Sequence, residues 1–248
     1  MEKMQVVKRR GKTEELNLEK VHAMVEEACA GLTGVSASQV EINSNLQFYD
    51  GIKTEDIQEI LVRSASDLID LENPNYQFVA ARLLSVSIRK KLFGRERKHP
   101  HIKTHLWKGA NKGIYDQELW GSYNDVEWDR INNYIDYDRD DQFTYAGLRQ
   151  VADKYLVQDR STGEIYESPQ QMYILIAASI FSVYPLETRL KYVKDYYDAI
   201  SKHQINLPTP IMAGVRTPIR QYASCVLVDI DDTLDSIFSS DMAIGKYV

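Results

Sequence analysis

A buried β-strand needs a neighbour to take up its backbone hydrogen bonds, and the run that reads most plainly as one has none. Ser224-Cys225-Val226-Leu227-Val228-Asp229-Ile230 is short and nearly all apolar, the pattern of a strand covered on both faces. Before it, Leu207-Pro208-Thr209-Pro210 cannot be helix interior, because each proline removes an amide donor and restricts the residue before it. After it, Asp231-Asp232-Thr233-Leu234-Asp235 offers cap residues for a helix running toward Val248. Loop, strand and helix in this order open an α/β unit. No second strand within the 248 residues is placed to pair with it.

Everything before Leu207 reads as helix, apart from one small hairpin. Met4 to Val7 is a short apolar run, and Gly11 can take the positive φ of a tight turn before Thr13 to Leu16. Asn17 then caps a helix with Leu18, Val21, Met24, Val25 and Ala28 at three-four spacing, ended by Gly31 and Gly34. A second helix is expected over 36–48. Thr54 caps a third, with Ile57, Ile60, Leu61, Leu68 and Ile69 on one face. Asn73-Pro74 starts a fourth that runs to about Lys91 and ends in Gly94. A hairpin and four short helices make a self-contained module.

From Arg95 to about Asp125 the pattern weakens to a connector with one short helix. His99, His101 and His105 lie there among Lys98, Lys103 and Lys108 with no acid nearby, a poor metal site. Helical periodicity returns from Asp125 to Gln204, with Thr144, Ser168 and Glu187 near helix starts. Met172 to Val183 is too short to span a bilayer and reads as a buried helix. The tyrosines of Glu187 to Ile205 suit core and interface packing.

Composition narrows the function classes. Hydrophobic residues are 44 % and charged residues 27 %, as in ordinary globular domains. A net charge of −6 gives no support for binding a nucleic-acid polymer. Two cysteines, Cys29 and Cys225, cannot make a disulfide framework. The N-terminus lacks a signal-like apolar region, so a cytoplasmic protein without a membrane anchor is expected.

Two segments can carry chemistry. Lys8, Arg9 and Lys12 flank the hairpin turn, and Lys20 falls in the first turn of the next helix, where the dipole disfavours a cation. An anion bound there would offset that repulsion, with free helix amides as phosphate donors. Glu14 and Asn17 can read a base or a ribose hydroxyl, and Arg89, Lys90 and Lys91 add positive charge. A solvated basic hairpin explains the same residues. Gly11-Lys12-Thr13 is not a P-loop, because Val6 stands where its first glycine belongs. The second segment holds Cys225, which in an apolar strand is ordinarily inert core. The acidic helix start that follows disfavours a thiolate.

The residues Val7-Lys8-Arg9, Glu14, Asn17 and Lys20, with Gln47-Phe48-Tyr49-Asp50-Gly51-Ile52-Lys53-Thr54, resemble an ATP-cone, the nucleotide-sensing module of many ribonucleotide reductases. Lys154 to Gln158, Thr162 to Ser168, Leu207 to Met212, Gly214 to Pro218 and Ser224 to Leu227 resemble the large (α) subunit of class I aerobic reductases. The resemblance implies a mainly α fold with small β: an ATP-cone over 1–94, a helical domain over 95–206, and the first strand and helix of a ten-stranded α/β barrel over 207–248.

It also implies residue roles. Lys8, Arg9, Glu14, Asn17, Lys20, Thr54 and Lys90 would form the overall-activity site for ATP or dATP. Gln58 stands where the cone usually has a histidine, and can hydrogen-bond but not carry charge. Thr209 and Ser224 would meet the ribonucleoside diphosphate, and Asp232, Thr233 and Leu234 would begin the specificity-effector site for dNTPs. Cys225 would be one of two redox thiols. In that chemistry a thiyl radical on another cysteine takes the 3′ hydrogen. Cys225 then helps protonate the departing 2′-hydroxyl and ends in a disulfide. The radical cysteine and the second thiol fall downstream of Val248, so the chain alone is expected to be inactive.

The implied partners are the remainder of the large subunit, a metal-containing radical-generating small (β) subunit and thioredoxin or glutaredoxin as reductant, in an oligomer. No covalently bound cofactor is implied. The alternative is a non-catalytic ATP-cone regulator, which would need neither the Pro-Thr-Pro loop nor the Ser-Cys strand.

Overall fold

In the computed structural model, residues 4–9, 11–45, 47–94 and 99–247 are described. Strand β1 (Gln5–Val7) pairs antiparallel with β2 (Thr13–Glu15), in the register Gln5 to Glu15 and Val7 to Thr13. Gly11 takes φ 77° in the turn, which explains a glycine there. Helices α1 (Leu18–Cys29) and α2 (Ala37–Asn45) follow, and β3 (Ile52–Lys53) adds to β1 in parallel, giving a sheet in the order β2-β1-β3. Val6 and Ile52, paired across it, are both buried.

Helices α3 (Thr54–Ser66) and α4 (Tyr76–Phe93) pack against one another beneath this sheet. Thr54 is the first residue of α3 rather than its cap, because the chain leaves β3 extended through Lys53. Helix α3 stops before Leu68 and Ile69, and Ile69 is exposed instead of sharing the buried face. Helix α4 starts at Tyr76, two residues later than Asn73-Pro74 implies. The Asp70 carboxylate accepts the amides of Glu72 and Asn73, holding a turn where the helix would have begun.

The expected connector is more regular than its periodicity suggests. It holds α5 (Ile102–Ala110) and α6 (Gln117–Gly121), and α7 (Asp125–Asn133) opens with a capping box between Asn124 and Glu127. His101 and Asp116 cap α5 and α6. A 3-10 turn (Tyr137–Gln142) and α8 (Tyr145–Gln150) lead into a π-helical turn (Val151–Tyr155). Helix α9 (Pro169–Phe181) is buried from Pro169 to Ala178, as the apolar run requires, and α10 (Arg189–Ser201) packs along it. Thr144 and Ser168 cap α8 and α9.

One continuous core runs from Val6 through α4 and α9 to Ile200. Helix α4 joins its two ends, packing on α1 and α3 on one side and on α8 and the 3-10 turn on the other.

The last segment departs from expectation. Helix α11 (Thr209–Gly214) begins inside the Pro-Thr-Pro motif, with Pro208 extended at its cap and Pro210 in its first turn, where a missing amide costs little. Residues 224–230 form no strand and are exposed, with Leu227 at 97 %. Burial on both faces needs flanking strands, and the described residues provide none. The helix after them does form: α12 (Leu234–Tyr247).

Beneath α4 the 3-10 turn buries Asp140, which accepts from Gln170 Nε2 at 2.8 Å, while Tyr197 donates to Gln170 Oε1 at 2.8 Å. Burial pushes the Asp140 carboxyl from 3.8 up to about 7, against the pull of Arg89 on α4. A raised folded-state value stabilises the protein below pH 4 relative to higher pH, and that advantage is lost as pH climbs to about 7. Asp140→Asn should therefore gain stability over the native chain between pH 4 and 7, by at most about 1.4 kcal/mol per pH unit, and stay level above. Urea unfolding across that range reads the gap; a gap independent of pH would contradict the assignment.

Candidate functional site

The hairpin, the start of α1, the start of α3 and the end of α4 close around a cleft of about 390 Å³. This size is ordinary for a small-molecule site. Six of the seven residues expected at an activity site line it: Lys8, Glu14, Asn17, Lys20, Thr54 and Lys90. Lys8 Nζ reaches Glu14 Oε1 across the hairpin at 2.6 Å. Asn17 caps α1 by accepting the Lys20 amide at 2.9 Å, so it shapes the cleft and the helix together. Thr54, one helical turn before Gln58, comes in with α3.

The floor is built on Gln58. Its side chain is 3 % exposed, donates through Nε2 to the Leu83 carbonyl at 3.1 Å and accepts from Lys90 Nζ at 3.0 Å. Lys90 Nζ also lies 3.4 Å from Met24 Sδ. An uncharged amide thus steers the Lys90 ammonium into the cleft without neutralising it.

Arg9, the seventh expected residue, does not line the cleft. It donates through Nη1 to the Lys90 carbonyl at 2.5 Å and pairs through Nε with Glu55 at 2.7 Å, tying the hairpin to α4 and α3. Glu15, Met24, Glu27 and Ile57 also line the wall, and the sequence reading did not assign them to it. Met24 and Glu27 follow Lys20 at helical spacing, which was the signal available for them.

The three connector histidines serve packing. His99 stacks on Tyr137 with centroids 3.4 Å apart, and His101 caps α5. His105 is partly buried and held neutral, its pKa lowered to about 4 by desolvation. Cys29, at the end of α1, is half-buried against the core, and burial raises its thiol.

The other expected site residues lie in the last segment. Thr209 opens α11 and its Oγ1 is 3.2 Å from the Tyr155 hydroxyl. Ser224 and Cys225 are exposed neighbours, Oγ to Sγ 3.8 Å. No hydrogen bond joins either of them to Thr209 among the described residues. Asp232 and Thr233 precede α12, where Thr233 Oγ1 accepts the Ser236 amide at 3.2 Å, and Leu234 is exposed.

What anchors α11 is a charge pair closed to water. Arg216 Nε lies 3.0 and 2.9 Å from the two carboxylate oxygens of Glu167, and both side chains are fully buried. Glu167 also accepts the Val157 amide at 2.8 Å and the Tyr115 hydroxyl at 3.1 Å. Since that hydroxyl donates to Glu167, its oxygen accepts from His105 Nε2 at 3.0 Å.

Two family models match this chain. Residues 4–91 match the ATP cone domain, and residues 141–220 match the ribonucleotide reductase all-alpha domain. The chain therefore joins an ATP-cone to the helical domain of a reductase. It belongs with the N-terminal region of ribonucleoside-diphosphate reductase α subunits. It is 52 % identical over 98 % of its length to ribonucleoside-diphosphate reductase 1 subunit alpha of Escherichia coli. It is 51 % identical over 99 % to the α subunit of Haemophilus influenzae, and 38 % over its whole length to that of Enterobacteria phage T4. It spans about a third of the length of these relatives, 32 % in each case. No helix among the described residues is long and apolar enough to cross a membrane.

Removing the arginine leaves the Glu167 charge buried and unpaired. Arg216→Ala should cost about 3–5 kcal/mol, and Arg216→Lys should restore little of it, because a lysine cannot reach the carboxylate and two carbonyls at once. Denaturant unfolding measures both; a loss under about 1 kcal/mol in Arg216→Ala would exclude the pair as the anchor.

Proposed function

We propose that the chain serves as the regulatory and N-terminal part of a ribonucleoside-diphosphate reductase α subunit, producing deoxyribonucleoside diphosphates for DNA precursor synthesis. The observation that carries this reading is the convergence of Lys8, Glu14, Asn17, Lys20, Thr54 and Lys90 from separate elements onto one cleft. Three ammonium groups suit the phosphates of ATP or dATP, and Lys8 exchanges its contact with Glu14 for a phosphate oxygen. Glu14 and Asn17 then face the sugar and base. Arg9 acts from behind, holding Lys90 by its backbone.

Catalysis in this reading takes place where Thr209 and Ser224 meet the ribonucleoside diphosphate. Cys225 supplies a proton to the departing 2′-hydroxyl and becomes oxidised to a disulfide with a second thiol. That thiol and the cysteine radical belong to polypeptide equivalent to the other two-thirds of the relatives. The exposed apolar groups of Val226, Leu227, Ile230, Phe238 and Met242 support such a neighbour, which would pair with 224–230 as a barrel strand. Asp232, Thr233 and Leu234 begin the specificity-effector site at the start of α12. A metal-containing β subunit supplies the radical and thioredoxin or glutaredoxin reduces the disulfide, in a cytoplasmic oligomer.

Calorimetric titration with ATP and dATP tests the cleft. The native chain should bind, and Lys8→Ala should weaken binding about 10- to 100-fold, the worth of one charge-assisted hydrogen bond; failure of the native chain to bind either nucleotide would sink the regulatory reading. Catalysis is tested by mixing the chain with a polypeptide covering the remaining two-thirds and the radical-generating subunit. Reduction of CDP should appear only in the mixture and vanish in Cys225→Ser. Undiminished turnover in that variant would remove Cys225 from the chemistry.

A further inference from the structure

The π-helical turn Val151–Tyr155 is the irregularity in this fold that points at the substrate side of the molecule. Helix α8 passes directly into it, and the Leu156 amide reaches back to the Val151 carbonyl at 2.9 Å, five residues away. Such turns are rare, and they re-aim the residues that follow the insertion. The turn ends on Tyr155, which is 9 % exposed. Its backbone carbonyl accepts from Arg216 Nη2 at 2.9 Å, and its hydroxyl lies 3.2 Å from Thr209 Oγ1.

Both ends of α11 are thereby tied to one turn. At the far end Arg216 Nη1 donates to the Met212 carbonyl at 2.5 Å and Thr217 Oγ1 to the Gly214 carbonyl at 2.8 Å. At the near end the side-chain tie is the Tyr155 hydroxyl. A helix of six residues does not hold its own shape in water. Threonine in a helix also divides between two χ1 rotamers, so an untied Thr209 would sample two hydroxyl directions.

We propose that Tyr155 is a positioning residue for Thr209, selecting the rotamer in which the threonine hydroxyl meets the diphosphate of the substrate. The proposal rests on the reading that Thr209 contacts that diphosphate. In this scheme Thr209 donates its one proton to a phosphate oxygen, so toward Tyr155 its Oγ1 can only accept. The Tyr155 hydroxyl is the donor in place, giving a chain from phenol to threonine to phosphate in which each hydrogen bond polarises the next. Tyr155 touches neither substrate nor reacting atoms in this scheme.

Two measurements test it. In the 248-residue chain, Tyr155→Phe should speed amide hydrogen exchange over Ile211 to Val215 while leaving the cleft at Lys8 and Lys90 unaffected; unchanged exchange over α11 would overturn the tie. In the reconstituted reductase, Tyr155→Phe should raise the KM for a ribonucleoside diphosphate about 2- to 10-fold with kcat within about twofold, the effect of one neutral hydrogen bond. A purely structural role would lower kcat as the enzyme unfolds and leave KM in place. Thr209→Val separates the two ideas. If it raises KM and Tyr155→Phe adds nothing in the double variant, the two act as one unit and the proposal stands. A higher KM in Thr209→Val with a native KM in Tyr155→Phe overturns the proposal alone. A native KM in Thr209→Val overturns the substrate role of Thr209 and this proposal with it.

Discussion

The contact on which the arrangement of the last third depends is the pair between Glu167 and Arg216, sealed from water on both sides. Taking two charges out of water is costly, and such a pair holds only where further hydrogen bonds satisfy both groups. Here they do. Glu167 takes the Val157 amide and the Tyr115 hydroxyl, and Arg216 gives its remaining donors to the Met212 and Tyr155 carbonyls. Those partners come from three stretches of chain, at Tyr115, at Tyr155 to Val157 and at Met212. The pair therefore gives α11 a single position, where an apolar contact of equal size would tolerate sliding. Gly109 belongs to the same construction, since a Cβ there would run into the Tyr115 ring.

Helix α4 does for the first half what this pair does for the second. Its C-terminal turn carries Lys90 into the cleft, while the preceding residue, Arg89, acts on buried Asp140 on the other side. The buried stretch from Val79 to Ile88 lies between, in the one core that spans both halves. A ligand that draws Lys90 away from Gln58 would act on a helix whose other face is packed on α8. Through α8 and the π turn that helix is continuous with Tyr155 and Thr209. The cleft at Lys8 and Lys90 and the start of α11 thus stand at opposite ends of one packed path.

Much of this was legible in the residues because local chemistry decided it. The Gly11 turn, the Asn17 cap, the Gly94 end of α4 and the buried α9 all follow from propensity and apolar spacing. The resemblance to an ATP-cone named the cleft residues, but position in a motif says nothing about which way a side chain faces. Arg9 was therefore placed in the cleft although its guanidinium is drawn to the Lys90 carbonyl behind it. Only one of the connector helices α5 and α6 was expected, because their caps, His101 and Asp116, sit beside weak periodicity. The Arg216 and Glu167 pair, 49 residues apart, leaves no mark at any local spacing.

The stretch 224–230 fails for a different reason. Its apolar pattern describes the surroundings a strand is built for, not the surroundings it makes for itself. A strand gains its hydrogen bonds only from neighbours, so the same seven residues form no strand and stay exposed when no neighbour is beside them. Helix α12 forms regardless, because a helix closes its own backbone hydrogen bonds. The contrast between the two explains why the pattern predicted burial that the structure does not supply. Cys225 is exposed with that stretch, while Tyr155 beside Thr209 is buried. The start of α11 is fixed by contacts within the chain, whereas the Cys225 thiol stands exposed beside Ser224.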